Sequence, residues 1–397
     1  MTTLAVTEPS THAGAGAGPL PGVVPLDIVG AGVFSAAGPG LAALADLPGG
    51  ATAGATAGAT AGATAEADGS WPPLPVRGVT GFDAEAVLGR KGLRGLSRTD
   101  RLAMAACLAA ATGAPGGAGE RTGIVLGTDV GSTAAQADFF RDTFTRERPY
   151  LVNPSAFPGT LMNSAAGRTA IRLGLTGLNA TVSGGALASL HALRYARNAL
   201  VNGHADRLLV GGVEEASAAG AWAWHRAGAL RSGAALGEGC AVLVLRAGTA
   251  GGADRSAGDG EPLGRLLACE TGYADPVAEG PLGVAARLAE CVRTALLRSG
   301  VTVGEQPLVV PGAGARRGWA AVELRSLREV FGPLPDSRAV RVDGALGETH
   351  AASGALRLAT VLARWQAGAG DERAAVLTAV GQDGSVGAAV VTRPARA

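Results

Sequence analysis

Lysine is almost missing from this 397-residue chain: of 34 Lys and Arg residues, only Lys91 is a lysine. That bias reads as genome composition rather than function. An excess of one charge is missing too. Formal net charge is +1 and neither sign forms a long run. The chain therefore lacks both the basic stripe of a nucleic-acid binder and the basic amphipathic helix of a membrane-surface protein. No apolar run reaches the ~18 residues of a membrane span. The first basic residue is Arg77, so the charged opening of a signal peptide is not seen. Cys107, Cys240, Cys269 and Cys291 stand far apart with no CxxC pair. They read as buried small hydrophobes rather than metal ligands or disulfides. The expectation is a reduced, soluble, cytoplasmic protein with no metal, no nucleic-acid partner and no membrane.

What is present is apolar and glycine-rich. Hydrophobic residues make up 47% and charged residues 17%, enough for a large core in one to three domains. Residues 1–24 read as a flexible start. A short strand, Leu26 to Val29, then meets a Gly-Ala-Gly turn. A dinucleotide fingerprint fails there, because no third glycine and no acidic strand end follow at the required spacing; no cofactor is expected. Residues 50–65 repeat Gly-Ala-Thr-Ala and read as a flexible surface insertion.

From Arg77 onward, apolar strands alternate with amphipathic helices. Helices are predicted at Arg98–Ala111, Thr133–Thr145 and Leu187–Val201, and strands at Thr122–Leu126, Arg207–Val210 and Ala241–Leu245. After a Gly/Ala/Asp-rich linker at 248–262 the alternation restarts. Helices are then predicted at Gly283–Arg298, Ala320–Phe331 and Thr349–Ala367. A hairpin is predicted around Gln382-Asp383-Gly384. Two comparable halves, 25–248 and 263–397, argue for a layered α/β fold with helices covering mostly parallel sheets.

Several segments in order now resemble one family. They are Asn153-Pro154-Ser155-Ala156-Phe157-Pro158, Met162-Asn163-Ser164-Ala165-Ala166-Gly167, Leu175 to Ser183, Ala205 to Glu214, Gly237-Glu238-Gly239, and Glu323 placed before Val330-Phe331-Gly332. Together, from about Leu26 to Thr392, they are similar to the β-ketoacyl synthases. The resemblance implies a thiolase-like fold: two pseudo-duplicated halves stacked as α-β-α-β-α layers, normally dimeric.

The same alignment of motifs implies that the chemistry is absent. The nucleophilic cysteine, which must carry an acyl thioester, is replaced by Ala186 in Gly184-Gly185-Ala186-Leu187. The two histidines that would stabilise an enolate fall at Gly312 and Glu348, and the usual lysine falls at Asp343. The phenylalanine gate falls at Gln382. A slip of two residues would instead make His350 the second histidine, whereas Ala351-Ala352-Ser353-Gly354 anchors the register at Glu348; otherwise His350 reads as solvent-facing or satisfied. Ser183 and Ser189 lack an evident base, and His191 reads as packed. The segment from Trp224 to Gly237 is shorter than the family's, which puts its cap over the site in doubt.

A ketosynthase lacking nucleophile, histidines and lysine resembles the chain length factor of type II polyketide synthases. That resemblance implies a heterodimer with a catalytic ketosynthase subunit, with an acyl carrier protein and the growing polyketide chain as further partners. It implies a tunnel lined by Thr133, Gln136 and Phe140, at helical spacing on one face; the competing reading of Phe139, Phe140 and Phe144 is ordinary core. The strand Asn179 to Ser183 would pair with its counterpart in the partner. Many chain length factors carry glutamine where Ala186 stands, so a less typical branch is implied. Two alternatives stay open: a stand-alone acyl-chain or carrier-protein binding protein, and an acyl transferase or decarboxylase with a relocated site.

Overall fold

The computed structural model describes residues 23–47, 70–116, 119–248 and 261–394. Most of the expected loose start, the 50–65 repeat and most of the 248–262 linker lie outside the described residues. The first half runs β1 (Leu26–Ser35), β2 (Gly38–Pro39), β3 (Val76–Arg77), α1 (Ala84–Leu88), α2 (Arg98–Thr112), β4 (Thr122–Gly127), α3 (Thr133–Thr145), α4 (Ser164–Leu173), β5 (Asn179–Val182), α5 (Ala188–Val201), β6 (Arg207–Glu214), α6 (Ala218–Ala227), β7 (Leu236–Gly237) and β8 (Gly239–Ala247). The second runs β9 (Gly264–Tyr273), α7 (Gly280–Ser299), β10 (Leu308–Val310), α8 (Trp319–Phe331), α9 (Asp343–Leu346), α10 (Ser353–Gln366), β11 (Ala374–Val380) and β12 (Ser385–Thr392).

The main sheet follows the order β10-β11-β12-β9-β1-β8-β6-β4-β5. It folds as two leaves that meet at β1 and β9, joined by three residue pairs from Leu26↔Leu266 to Ile28↔Gly264. The leaves mirror each other: β5-β4-β6-β8-β1 on one side and, on the other, β10-β11-β12-β9 with a parallel bridge from Val309 to Ala339. Ala339 thus occupies the place that β5 holds in the first leaf.

The strand alternation shows why five layers form. Along β6 and β8, Leu208, Val210, Ala241 and Leu243 face one core, while Leu209, Val213, Cys240 and Val242 face another, against α2. Along β11 and β12, Ala375, Leu377, Ala389 and Val391 face the first core, while Val376, Ala388 and Val390 pack on α7 and α8. Successive side chains point to opposite faces of a strand, so each leaf is covered twice. The shared core holds α5 and α10 through Leu187, Leu190, Leu193, Leu356 and Leu362. These are the α-β-α-β-α layers of the thiolase-like fold, in two pseudo-duplicated halves.

Three local expectations need correction. The sheet is mixed: β5-β4-β6 and β10-β11 are parallel, but β8, β1, β9 and β12 run antiparallel to their neighbours. Hairpin-scale connections such as Gln382-Asp383-Gly384 leave no room for the crossover that a parallel pair requires. The Gly-Ala-Gly at 30–32 is not a turn but the middle of β1. A Cβ on Gly30 would stand 2.5 Å from the Ala110 carbonyl of α2, so glycine lets helix and strand approach closely. Finally, the helix predicted from Thr349 is broken. His350 takes φ +41°, a short 3-10 turn covers His350–Ala352, and α10 starts at Ser353.

Candidate functional site

The segment that the resemblance assigns to the nucleophile forms a tight turn between β5 and α5. β5 ends at Val182, Gly185 takes φ +50°, and Ala186 sits 2% exposed at the head of α5. Gly184 is extended, but a Cβ there would stand 2.5 Å from His191 Nδ1. The Ala186 methyl offers no lone pair and no leaving proton. The neighbouring hydroxyls are spoken for: Ser183 Oγ donates to the Asp129 carbonyl at 2.8 Å, and Ser189 Oγ donates to the Ala351 carbonyl.

Gly312 follows β10, and the space for a side chain there is filled. A Cβ would stand 2.5 Å from Cζ and Nη2 of Arg357. That guanidinium, fully buried on α10, donates from Nη1 to the Val310 carbonyl at 3.0 Å and to the Thr378 carbonyl, and from Nε to Ser353 Oγ at 3.2 Å. Burial pulls its pKa down to about 10, opposed by Glu323. Glu323, also buried, accepts from the Gly312 and Ala313 amides at 2.9 and 2.7 Å and from Thr378 Oγ1 at 2.7 Å.

Glu348 is equally committed. It forms an ion pair with Arg316, Oε2 to Nε 3.3 Å, with the two side chains 2% and 1% exposed. Arg316 also donates to the carbonyls of Val380 and, at 3.3 Å, Gly312. Beside Gly312 and Glu348, the positions that the resemblance assigns to the two histidines, lie two buried guanidiniums, those of Arg357 and Arg316. Asp343, at the lysine position, opens α9 with Oδ2 3.4 Å from Arg231 Nη2, so a cation faces that spot from another element. Gln382 is exposed on the β11–β12 turn. The short segment after Trp224 does cover the site: Leu230 bridges Arg316, Leu236 bridges Glu348, and the Arg231 amide donates to the Ala315 carbonyl at 2.9 Å.

His350 is not solvent-facing. Its ring lies beside Gly185, whose Cβ would be 3.4 Å from Cε1, and edge-on to Trp224 at 5.0 Å. Nε2 stands 3.4 Å from Asp129 Oδ2. Burial disfavours the imidazolium, yet the hydrogen bond to Asp129 and the charges of Glu214 and Glu348 outweigh it and raise its pKa. The same hydrogen bond holds Asp129 below the ordinary carboxylate range. Burial pushes Glu214, at the end of β6, up to about 8. The structure thus brings Ala186, Gly312, Glu348 and His350 into one linked cluster.

Thr133, Gln136 and Phe140 are not part of that cluster. They sit on α3, whose first turn is fastened by Glu215. That buried carboxylate accepts from Ser132 Oγ at 3.0 Å, the Ala134 amide at 2.8 Å and Thr99 Oγ1 of α2 at 2.8 Å. Thr133 Oγ1 accepts from Ser217 Oγ at 3.0 Å, and Gln136 Nε2 donates to the Val130 carbonyl at 2.7 Å. Phe140 is 56% exposed, so the reading of these aromatics as ordinary core fails for it and for Phe144. Sequence reasoning missed Arg316, Arg357 and Asp129. The signal available for Arg357 was a lone charge inside the apolar run Ala355 to Ala363.

The match to a family model covers residues 74–250 and is described as the N-terminal domain of β-ketoacyl synthase. A mycocerosic acid synthase-like polyketide synthase of Mycolicibacterium smegmatis is 31% identical over 257 residues, 60% of this chain and 11% of that protein. The 3-oxoacyl-[acyl-carrier-protein] synthase 2 of Vibrio cholerae is 27% identical over 188 residues, 42% of this chain and 45% of that enzyme. The chain thus spans less than half the length of these two curated relatives. Among solved structures, the ishigamide ketosynthase/chain length factor is 35% identical with a TM-score of 0.77, covering 94% of this chain and 100% of that one. A β-ketoacyl synthase from Burkholderia phymatum shares the fold at 18% identity and a TM-score of 0.75, with the same coverage. With the layered fold, the family-model match and similarity over nearly the whole chain together, the chain belongs to the β-ketoacyl synthase family.

Proposed function

We propose that this chain is a non-catalytic, chain-length-factor-like subunit that pairs with an active ketosynthase and shapes the tunnel for the growing chain in a type II polyketide synthase. One observation carries the reading. Arg357 fills the space of a side chain at 312, while Ala186 supplies no nucleophile, so an acyl group can be neither loaded nor condensed here. The likeness to the ishigamide ketosynthase/chain length factor supports the type of system. A chain from a solved complex of a type II acyl carrier protein with its ketosynthase shares this fold at 14% identity; a carrier protein is the further partner in the proposed reading.

A pairing surface is available. Among the described residues β5 is the last strand of its leaf, so no described strand covers its outer edge, which could extend the sheet. On α3 and the segment that follows it, Phe140, Phe144, Tyr150 and Phe157 are 56%, 87%, 68% and 51% exposed. Exposed aromatics in such density mark an interface. Co-expression with an active ketosynthase, size-exclusion chromatography and elongation of malonyl-carrier protein test the proposal. A 1:1 complex whose elongation stops without this chain supports it. A ketosynthase that ignores this chain and elongates equally well alone overturns it.

The Asp129–His350 pair favours one second reading, an enzyme with a relocated site. Turnover of malonyl- or acyl-carrier protein by the isolated chain, abolished by His350→Asn, would establish it. Against it stands the commitment of both nearby serine hydroxyls to backbone carbonyls.

A further inference from the structure

A cavity of about 300 Å³ lies between α8 and the edge strand β10, and none of the residues around Ala186 lines it. Its walls are segregated. Ala320, Leu324 and Leu327 come from one face of α8 at spacings of four and three residues, with Leu334 beyond the helix end and Val309 and Ala339 opposite. The other end is charged. Val309 bridges Ala339 in parallel, and Arg341 and Asp343, a few residues further on, line the cavity together with Pro311 and Gly314. Arg231 joins them, donating to the Gly314 carbonyl at 2.7 Å.

The charged end has cationic capacity to spare. Arg231 stands 3.4 Å from Asp343, and Arg341 stands 3.3 Å from Asp336, which is 72% exposed. Neither pair is the close, two-pronged contact in which a guanidinium and a carboxylate bind most strongly, and the second is largely screened by water. The remaining acid on the wall, Glu323, has both oxygens occupied by the amides of Gly312 and Ala313 and the hydroxyl of Thr378. An apolar pouch of this volume with convergent polar groups at one end is the ordinary form of a small-molecule site.

We propose that this cavity binds a medium-chain carboxylate, its alkyl tail against Leu324, Leu327 and Leu334 and its carboxylate between Arg231 and Arg341. The site is separate from the pairing described above and needs no partner to be occupied.

The test is calorimetric titration of the full chain with octanoate and, in parallel, with octan-1-ol, which keeps the tail and removes the charge. The expected result is saturable binding of one octanoate per chain, with octan-1-ol about tenfold weaker. Arg231→Gln and Arg341→Gln, on partly exposed side chains, should each weaken octanoate by a similar factor and leave octan-1-ol unchanged. Ala320→Trp, which fills the pouch, should abolish both while far-UV circular dichroism stays unaltered. If that variant fails to fold, the two arginine variants carry the test alone. Absence of octanoate binding up to millimolar concentration, equal affinity for the alcohol, or binding indifferent to both arginine variants would each overturn the proposal.

Discussion

At the scale of single residues, the site is defined by what its charges are already doing. Arg357 cannot easily move aside for a side chain at 312, because its nitrogens are bonded to Val310, Thr378 and Ser353. Gly312→Ala should therefore cost about 1–3 kcal/mol in chemical denaturation, the range of a core overpacking; a neutral result would mean that Arg357 relaxes freely. Glu214 gives a pH-dependent prediction. Its folded pKa is about 8 against an ordinary 4.5, so the native state holds a proton that the unfolded chain releases. Its contribution is fully present below 4.5 and declines as pH rises to 8. His350, raised above 6.5, also loses stabilisation as pH climbs through its folded value. Asp129, lowered by its partner, acts the other way and loses its contribution on acidification. Thermal midpoints should fall from pH 6 to pH 8.5, and Glu214→Gln should remove a part of that fall on the order of 2 kcal/mol. A wild-type midpoint flat across that range would contradict the assignment.

At the scale of elements, α3 is the informative case. Its limits, Thr133–Thr145, were expected from the sequence, and the structure matches them. What the helix faces was not legible. A spacing of three and four residues identifies a face but not whether core, tunnel or solvent lies against it. Among the described residues no residue of α3 is buried, and its first turn is held by polar contacts with Glu215 and Ser217. Phe140→Asp with Phe144→Asp should thus shift the chain's own thermal stability by no more than about 0.5 kcal/mol, yet should abolish association with a ketosynthase in size-exclusion chromatography. Loss of fold in that variant would return these aromatics to the core. The break at His350 was illegible for a related reason. Thr349 to Ala367 has an unbroken helical pattern, and only the contact of the imidazole with Gly185 and Asp129 forces φ +41° at one position.

At the scale of the whole molecule, the layered fold was legible because ordered motifs and alternating apolar strands both persist through each half. The buried charges were not, since a one-dimensional pattern does not show that Arg357 comes to fill the space beside Gly312 or that Arg316 pairs with Glu348. The middle core contains side chains from both leaves, so the halves should unfold together. Leu377→Ala on β11 should cost about 2–5 kcal/mol, and hydrogen exchange should lose protection on β6 and α5 as much as on β11 and β12. Protection lost only from the second leaf would mean that the halves open independently. The fit of Arg357 against Gly312 also bears on descent. On the proposed reading, a histidine regained at 312 meets a volume that Arg357 already occupies. A side chain there requires Arg357 to give way as well, so on that reading more than one substitution separates this chain from a condensing enzyme.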